Sequence, residues 1–280
     1  METITVIVPH RHGSEPNRSR FPAYTIFSDD EGKGKKFALH KAIAAATTEY
    51  VWLTDDDVIM PADIQKSNQL NITTDADMLI LPLAMNKGTG SLIEKLQVME
   101  YTALQSLTLF TAEKGHPIMC SGANLIVKRE RWLESYNELH NELPSGDDMF
   151  LLESFKRRGL KISTSASQDL TAHINPQPTL KDLLRQRMRW AGKANKYTDR
   201  DIIFAGLLTL LANICLYLPP VFICKYIFDL WLIHRGRTQY HLLEKKSSLS
   251  VILTTLFIEM VYPIYMLMCL FGGLFRQNKW

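Results

Sequence analysis

Short apolar runs alternate with helix-like segments over the first 165 residues of the chain. The strand-like runs are residues 4–8, 50–53, 77–83 and 124–128, and the helix-like segments between them are 35–47 and 91–112. Residues 91–112 carry apolar side chains at helical spacing together with charged ones, which favours a helix packed on a sheet over a membrane span. This alternation predicts an α/β fold with parallel strands and flanking helices.

The pattern changes after residue 200, where apolar residues dominate. Residues 202–224 contain no ionisable side chain except cysteine and tyrosine, and residues 249–275 contain only one charged residue, Glu259. Both stretches are long enough to cross a hydrocarbon core of about 30 Å. Buried core helices are the alternative, but such helices usually show a polar face, which is lacking here. We therefore expect a domain at 1–200 and a membrane-associated region at 201–280 with two to three apolar segments.

Two prolines interrupt the first apolar stretch, which continues to Ile233. Pro219 and Pro220 would break or kink a helix. One arrangement is a single kinked span at 202–224 followed by an interfacial helix, and the other is a short hairpin of 202–218 and 221–233. The basic loop that follows favours the hairpin, because positively charged loops prefer the cytoplasmic side.

Charged residues inside these apolar stretches need partners. Glu259 would be costly in a membrane and is expected to be functional or paired across helices, or to reach water at the interface. Lys225 and Asp229, four residues apart, could neutralise each other.

The net charge of +3 is too small to indicate nucleic-acid binding, but its distribution is informative. Residues 185–200 carry six Lys or Arg against one Asp, which is typical of a segment that meets anionic membrane lipids. The first ten residues do not form a signal peptide, so we expect 1–200 on the cytoplasmic side of an inner or plasma membrane. The four cysteines show neither metal-binding spacing nor a disulfide framework.

Three consecutive acids, Asp55, Asp56 and Asp57, follow the apolar run 50–53. Residues two apart in an extended chain point the same way, so Asp55 and Asp57 form a DxD pair. Their mutual repulsion would be relieved by Mg²⁺ or Mn²⁺, which prefer oxygen ligands. A polar turn that caps the next segment is the alternative.

Asp147 and Asp148 form a second acidic pair, at the start of a predicted amphipathic helix. Such acids are often only helix caps. Alternatively, one can cap the helix while the other faces a cleft, where the neighbouring charge makes it a better general base. Asp148 is the candidate base.

A third cluster combines planar cationic groups with an indole ring: Gln186, Arg187, Arg189 and Trp190. Such a set can clamp phosphate and stack on a sugar, or it can hold lipid phosphates beside a membrane. The segment GKGKK, which contains Lys35, adds cations near a possible nucleotide pocket, or is a solvated loop.

The order of these segments resembles that of the inverting family 2 glycosyltransferases with the GT-A fold, in particular the branch with cellulose, hyaluronan and ceramide glucosyl transferases. The matching pieces, which span residues 32–190, are GKGKKFALHKAI, TDDDV as the DxD motif, CSGANLIVKRERW, SGDDMFLL as the acid-acid-x-x-Leu motif, and QRMRW as the Q-x-x-R-W motif. The resemblance implies a mixed, mainly parallel sheet flanked by helices. It also implies transfer of a sugar from a nucleotide-sugar, with UDP the expected nucleotide, to a lipid-linked or polysaccharide acceptor.

The resemblance also assigns roles to individual residues. Asp55 and Asp57 would bind the metal, Asp55 and Asp147 the donor, and Asp148, three residues before Leu151, would deprotonate the acceptor. The remaining substrate contacts would come from Lys35, near the nucleotide base, and from Gln186, Arg189 and Trp190, at the leaving diphosphate and the acceptor entrance.

The chain departs from the family between the first strand and the GKG loop. A helix and a second strand that ends in a base-contacting aspartate are usual there, whereas this chain has about twenty residues, with Asp29 or Asp30 as possible replacements. Two other functions stay open on the sequence alone. One is a membrane-bound sugar nucleotidyltransferase, and the other is an inactive subunit that binds sugar nucleotides.

Overall fold

A computed structural model describes residues 2–61, 64, 71–72, 74–243 and 248–275. Packing divides these residues into two compact units, the first comprising 2–83 and 111–174 and the second 84–110 and 175–275. The boundary that we expect near residue 200 separates a cytoplasmic domain from a membrane-associated region, and it stays a prediction.

The strands of the first unit form a mixed sheet, as predicted. The described strands are β1 (Glu2–His10), β2 (Thr25–Asp29), β3 (Tyr50–Leu53), β4 (Asn71–Ile72), β5 (Met78–Ile80), β6 (Leu83–Met85), β7 (Leu125–Lys128), β8 (Ile162–Thr164) and β9 (Ala172–Ile174). The order in the main sheet is β2-β1-β3-β7-β5-β8, with β4 paired to β1. β1 runs parallel to β2 and β3, and β5 parallel to β8, whereas β7 is antiparallel to both neighbours.

The predicted helices at 35–47 and 91–112 are present. The described helices are α1 (Lys35–Ala45), α2 (Leu92–Glu113), α3 (Arg129–Ser135), α4 (Asp147–Arg157), α5 (Leu180–Ala191), α6 (Arg200–Ile214), α7 (Pro219–Thr238) and α8 (Ser248–Phe275). Short 3₁₀ turns lie at Arg18–Arg20, Tyr136–Glu138, Gln168–Leu170 and Ala194–Lys196. Helices α5 to α8 belong to the second unit.

Both faces of the central sheet are covered, which explains why its strands are apolar throughout. Successive side chains of a strand point to opposite faces, so Val6 and Val8 pack in one layer while Ile7 faces the other. Leu39 and Ile43, one turn apart on α1, are buried. Full burial of such a side chain contributes about 1.5–3 kcal/mol. The sheet is therefore a rigid base for the loops at its carboxyl edge.

The two prolines start a helix instead of kinking one. Pro219 and Pro220 occupy the first turn of α7, where a missing backbone N–H costs nothing. A single kinked span at 202–224 is therefore wrong. With 15 residues, α6 is about 22 Å long and shorter than a hydrocarbon core. Among the described helices, α8 is long and apolar enough to cross a membrane, over Ser248–Gly273.

Three charged residues of α7 and α8 form ion pairs. Lys225 Nζ lies 2.7 Å from Asp229 Oδ2 on its own helix and 2.7 Å from Glu259 Oε2 on α8. Glu259 is fully buried in this contact. The prediction that Glu259 is paired across helices is confirmed, as is the pairing of Lys225 with Asp229.

Candidate active site

The DxD acids lie at the carboxyl edge of the sheet, immediately after β3. Thr54 donates its backbone N–H to Ile7 O at 3.1 Å, which extends the pairing of β3 with β1. The chain then turns, with Val58 N donating to Asp55 O at 3.2 Å. Ligands of open α/β sheets collect at this edge, so the acids occupy the expected position.

The segment behind the turn is held by β9. Ile59 and His173 exchange two backbone hydrogen bonds of 2.8 Å each. Burial lowers the pKa of His173, so its ring is neutral at physiological pH. The acids at 55–57 are thus fixed from both sides, by β1 before them and by β9 after them.

Lys35 joins the two acidic pairs. It is the first residue of α1, after Gly34 at φ +95°, a backbone conformation that favours glycine. Its Nζ lies 2.7 Å from Asp55 Oδ1 and 3.2 Å from Asp147 Oδ2. Burial opposes the charge of Lys35, but Asp147 and Asp55 outweigh burial and raise its pKa. The ammonium group is therefore permanently charged between two carboxylates.

The ionised form of the Asp57 carboxyl is disfavoured where it lies. Desolvation of its carboxyl, followed by the charges of Asp55 and Asp56, raises the pKa of Asp57. In the part of the chain that the structure describes, no three His, Cys, Asp or Glu side chains are grouped closely enough to hold a metal. The acids at 55–57 nevertheless fit a hard divalent cation, whose remaining oxygen ligands would come from substrate or water.

Asp147 and Asp148 occupy the first turn of α4, and neither is its cap. The N-cap is Gly146, in the left-handed conformation at φ +91°. Both carboxylates therefore lie near the positive end of the helix dipole, which stabilises negative charge. Asp147 is buried against Lys35, whereas Asp148 is partly exposed. Asp147 is thus held by Lys35, whereas the exposed part of Asp148 is open to a ligand.

Two residues of the CSG segment hold Asp148, and sequence reasoning did not single them out. Gly122 donates its N–H to Asp148 Oδ2 at 3.3 Å, and Cys120 Sγ donates to Asp148 O at 3.3 Å. Burial raises the pKa of the Cys120 thiol well above its ordinary value, so it keeps its proton. A Cβ on Gly122 would lie 3.1 Å from Asp147 Oδ2 and 3.5 Å from Lys35 Nζ. The only signal in the sequence was the position of CSG among the family-like segments.

The region before the GKG loop does contain a second strand, β2, which ends at Asp29 beside His10 of β1. A 3₁₀ turn precedes it in place of a helix. Asp30 Oδ1 accepts hydrogen bonds of 2.9 Å from the backbone N–H groups of His12 and Gly32. Asp29 Oδ1 accepts one of 2.6 Å from Glu31 N. Both aspartates therefore shape the loop that leads into α1.

The Q-x-x-R-W residues lie on α5, in the second unit. Gln186 precedes Arg189 by three and Trp190 by four residues, so the three share one helix face. Trp190 is 36% exposed. Arg187, between them, is buried and donates from Nη1 to Gln186 Oε1 at 3.1 Å.

Comparison with known proteins agrees with this geometry. The model of the family described as glycosyltransferase-like family 2 matches residues 19–193. No curated protein matches the chain.

Among solved structures, a mannosyltransferase from Pyrobaculum calidifontis in complex with GDP-Man and Mn²⁺ is similar at a TM-score of 0.53. Its identity is 14%, over 99% of this chain and 88% of that one. The glucosyl-3-phosphoglycerate synthase of Mycobacterium tuberculosis, in complex with Mn²⁺ and UDP-glucose, has 14% identity over 68% and 77% of the two chains and a TM-score of 0.37. The fold is thus of the GT-A type, and the chain belongs to the family 2-like glycosyltransferases and is a glycosyltransferase.

Proposed function

We propose that this enzyme transfers a sugar from a nucleotide-sugar to an acceptor hydroxyl with inversion at the anomeric carbon. The observation that carries the proposal is that Lys35 contacts both acidic pairs, the one that follows β3 and the one that begins α4. The acids lie at the edge of the sheet where a donor would bind. Asp55, Asp57 and Asp147 would serve the donor, and Asp148 would serve the acceptor.

Asp55 and Asp57 are the residues that would hold Mg²⁺ or Mn²⁺. Desolvation and then the charges of Asp55 and Asp56 raise the pKa of Asp57, which supports this role because a bound cation would favour the ionised carboxylate against both effects. When bound, the metal supplies positive charge that stabilises the departing diphosphate. The mannosyltransferase and the synthase named above were both solved with Mn²⁺, which agrees with a divalent cation.

Asp148 is the base that would take the proton of the acceptor hydroxyl. As the acceptor oxygen forms its bond to the anomeric carbon, the bond from that carbon to the diphosphate breaks and the nucleotide leaves. Gly122 N fixes one carboxylate oxygen, and Asp147 is retained by Lys35. A base held in this way needs little reorganisation in the transition state.

Gln186, Arg189 and Trp190 would contact the leaving diphosphate and line the acceptor entrance. Their common face on α5 and the exposed indole of Trp190 support this assignment. An arginine fork matches diphosphate oxygens, and an indole face packs on sugar rings. Lys35 and Asp147 would complete the donor contacts.

The donor we propose is a UDP-sugar, and the acceptor is lipid-linked or a polysaccharide. The apolar helix α8, together with the basic segment 185–200, supports attachment to the lipids of an inner or plasma membrane. The catalytic residues would then lie on the cytoplasmic side. A membrane-attached enzyme meets lipid-linked acceptors directly, which is the reason for this choice.

The test is donor turnover by the full chain in detergent, measured as nucleoside diphosphate released from a panel of UDP- and GDP-sugars with Mn²⁺, Mg²⁺ or EDTA. We expect turnover with one UDP-sugar that needs the metal. Asp148→Asn should reduce it by about 10²–10⁴-fold, the usual contribution of a general base. Asp169→Asn, at an exposed position, is the matched control.

Three results would contradict the proposal. Full activity of Asp148→Asn would exclude Asp148 as the base, and full activity in EDTA would exclude the metal role of the DxD pair. Release of pyrophosphate from a nucleoside triphosphate and a sugar phosphate would instead indicate a nucleotidyltransferase.

A further inference from the structure

A buried ion pair holds the Q-x-x-R-W helix to α2. Arg187 Nη2 lies 2.9 Å from Glu100 Oε2, with the two side chains 7% and 16% exposed. Both residues belong to the second unit. Burial opposes the charge of Arg187, but Glu100 outweighs it and raises the pKa, so the guanidinium is always charged. A charge this deeply buried depends on its partner, and loss of that partner is costly.

The same guanidinium contacts two residues of the motif. Its Nη1 donates to Gln186 Oε1 at 3.1 Å, and its Cζ lies 4.2 Å from the ring centroid of Trp190. Its Nη2 is the atom that meets Glu100. Because the guanidinium is planar and rigid, its contact with Glu100 also fixes the directions of its contacts with Gln186 and Trp190. The orientation of Gln186 and Trp190 is thus linked to Glu100.

Helix α8 packs against the C-terminal end of α5, next to Arg187. A Cβ on Gly273 would lie 2.5 Å from Met188 O and 2.8 Å from Gly192 N, and one on Gly272 would lie 2.6 Å from Met188 Cε. The backbones of the two helices therefore touch where α8 has two glycines. Gly272 and Gly273 lie at the end of the stretch that is apolar enough to cross a membrane.

We propose that Glu100 and Arg187 are positioning residues for the reaction, which aim Gln186 and Trp190 at the substrate, and that α8 is part of this arrangement through its contact with α5. The inference rests on the proposed role of Gln186 and Trp190 in binding substrate. It makes the C-terminal helix a support of the substrate site as well as a membrane anchor.

Two variants test the pair in the full chain. Arg187→Lys keeps a cation beside Glu100 but loses the planar group that reaches Gln186 and Trp190. Glu100→Gln leaves Arg187 without its counter-charge. We expect both to reduce kcat by about 100-fold, the effect of a displacement of roughly 1 Å at a reactive site. For Arg187→Lys, we expect a near-normal Tm.

The matched control is Glu259→Gln, which weakens a different buried ion pair of the second unit, between α7 and α8. It should lower Tm and leave kcat unchanged. The wild-type chain and each variant are measured for Tm, kcat, and KM for donor and acceptor.

Equal loss of kcat in Glu259→Gln, or full kcat in Arg187→Lys, would overturn the inference, because the pair would then serve stability alone. If Glu100→Gln does not fold, Arg187→Lys decides the question. A wild-type chain with no donor turnover would overturn the proposed function and the inference with it. Active wild type with fully active Arg187→Lys would overturn the inference alone.

Discussion

Lys35 Nζ lies 2.7 Å from Asp55 Oδ1, so the lysine that directly follows the GKG loop is an ion-pair partner of the DxD motif. The same ammonium is 3.2 Å from Asp147 Oδ2. The resemblance to the family placed this lysine near the nucleotide base. In the structure, it compensates two acids that would otherwise repel each other across the site.

Replacement of Lys35 by methionine should therefore damage both stability and catalysis. Asp55 and Asp147 would lose their shared counter-charge, at a cost of about 3 kcal/mol for the buried partner. Donor turnover should fall by about 100-fold as the two acids move apart. Thermal unfolding and nucleotide release measure the two effects. Lys33→Met is the control, because Lys33 is exposed and its ion pair with Glu31 lies at the surface. Equal damage in both variants would contradict a special role of Lys35.

Asp57→Asn distinguishes the effect of Asp57 on metal binding from its effect on the stability of the fold. A carboxyl whose pKa is raised in the folded protein is less stable ionised there than in the unfolded chain, so removal of its charge should raise Tm in EDTA at neutral pH. The same change would remove one of the two proposed protein ligands of the metal. Mn²⁺ should therefore raise the Tm of the wild type and leave that of the variant unchanged. A metal-dependent rise in Tm that persists in Asp57→Asn would exclude Asp57 as a ligand.

Gly122→Ala should impair catalysis more than stability. The new Cβ would lie 3.1 Å from Asp147 Oδ2 and 3.7 Å from Asp148 Cβ, so both acids must shift by a few tenths of an ångström. We expect kcat to fall about 10-fold or more, with little change in Tm. Gly206→Ala is the comparison, because a Cβ there meets no atom within 4 Å. Normal kcat in Gly122→Ala would show that the acids tolerate displacement.

The ion pair between Lys225 of α7 and Glu259 of α8 predicts a non-additive double mutant. Lys225→Met leaves Glu259 buried without its cation and should lower stability by about 3 kcal/mol. Addition of Glu259→Gln should restore part of that loss, because the uncompensated charge is gone. Chemical denaturation in detergent measures both variants. A double mutant less stable than Lys225→Met would contradict the pairing.

Local patterns predicted the elements of the fold well. The apolar run 50–53 has the same bounds as β3, because its large apolar side chains are followed directly by a threonine and three acids. The sequence also showed a boundary at Pro219, but it did not show that a helix starts there. A proline breaks a helix from inside but also starts one, and the sequence does not distinguish these cases.

Contacts between segments that are distant in the chain could not be predicted from the sequence. Gly122 and Asp148 are 26 residues apart, and Arg187 and Glu100 are 87 apart, and neither pair has a local pattern. The sequence grouped Arg187 with Gln186, Arg189 and Trp190 as a cationic cluster, but its buried ion pair with Glu100 exists only in three dimensions. Periodicity finds elements, whereas such pairs depend on how the elements pack.

Gly273→Ala tests whether α8 supports the Q-x-x-R-W helix. The neighbours of the new Cβ are backbone atoms, Met188 O at 2.5 Å and Gly192 N at 2.8 Å, which cannot rotate away. The helices must therefore separate, and α5 should shift with Arg187 and Trp190. We expect kcat to fall by about 100-fold while membrane attachment, measured by flotation with liposomes, is retained. Gly206→Ala adds a methyl group to open space in α6, where alanine favours the helix by up to about 1 kcal/mol, and should leave kcat unchanged. Because a helix that served only as an anchor would tolerate a small separation from α5, full activity of Gly273→Ala would identify α8 as an anchor alone.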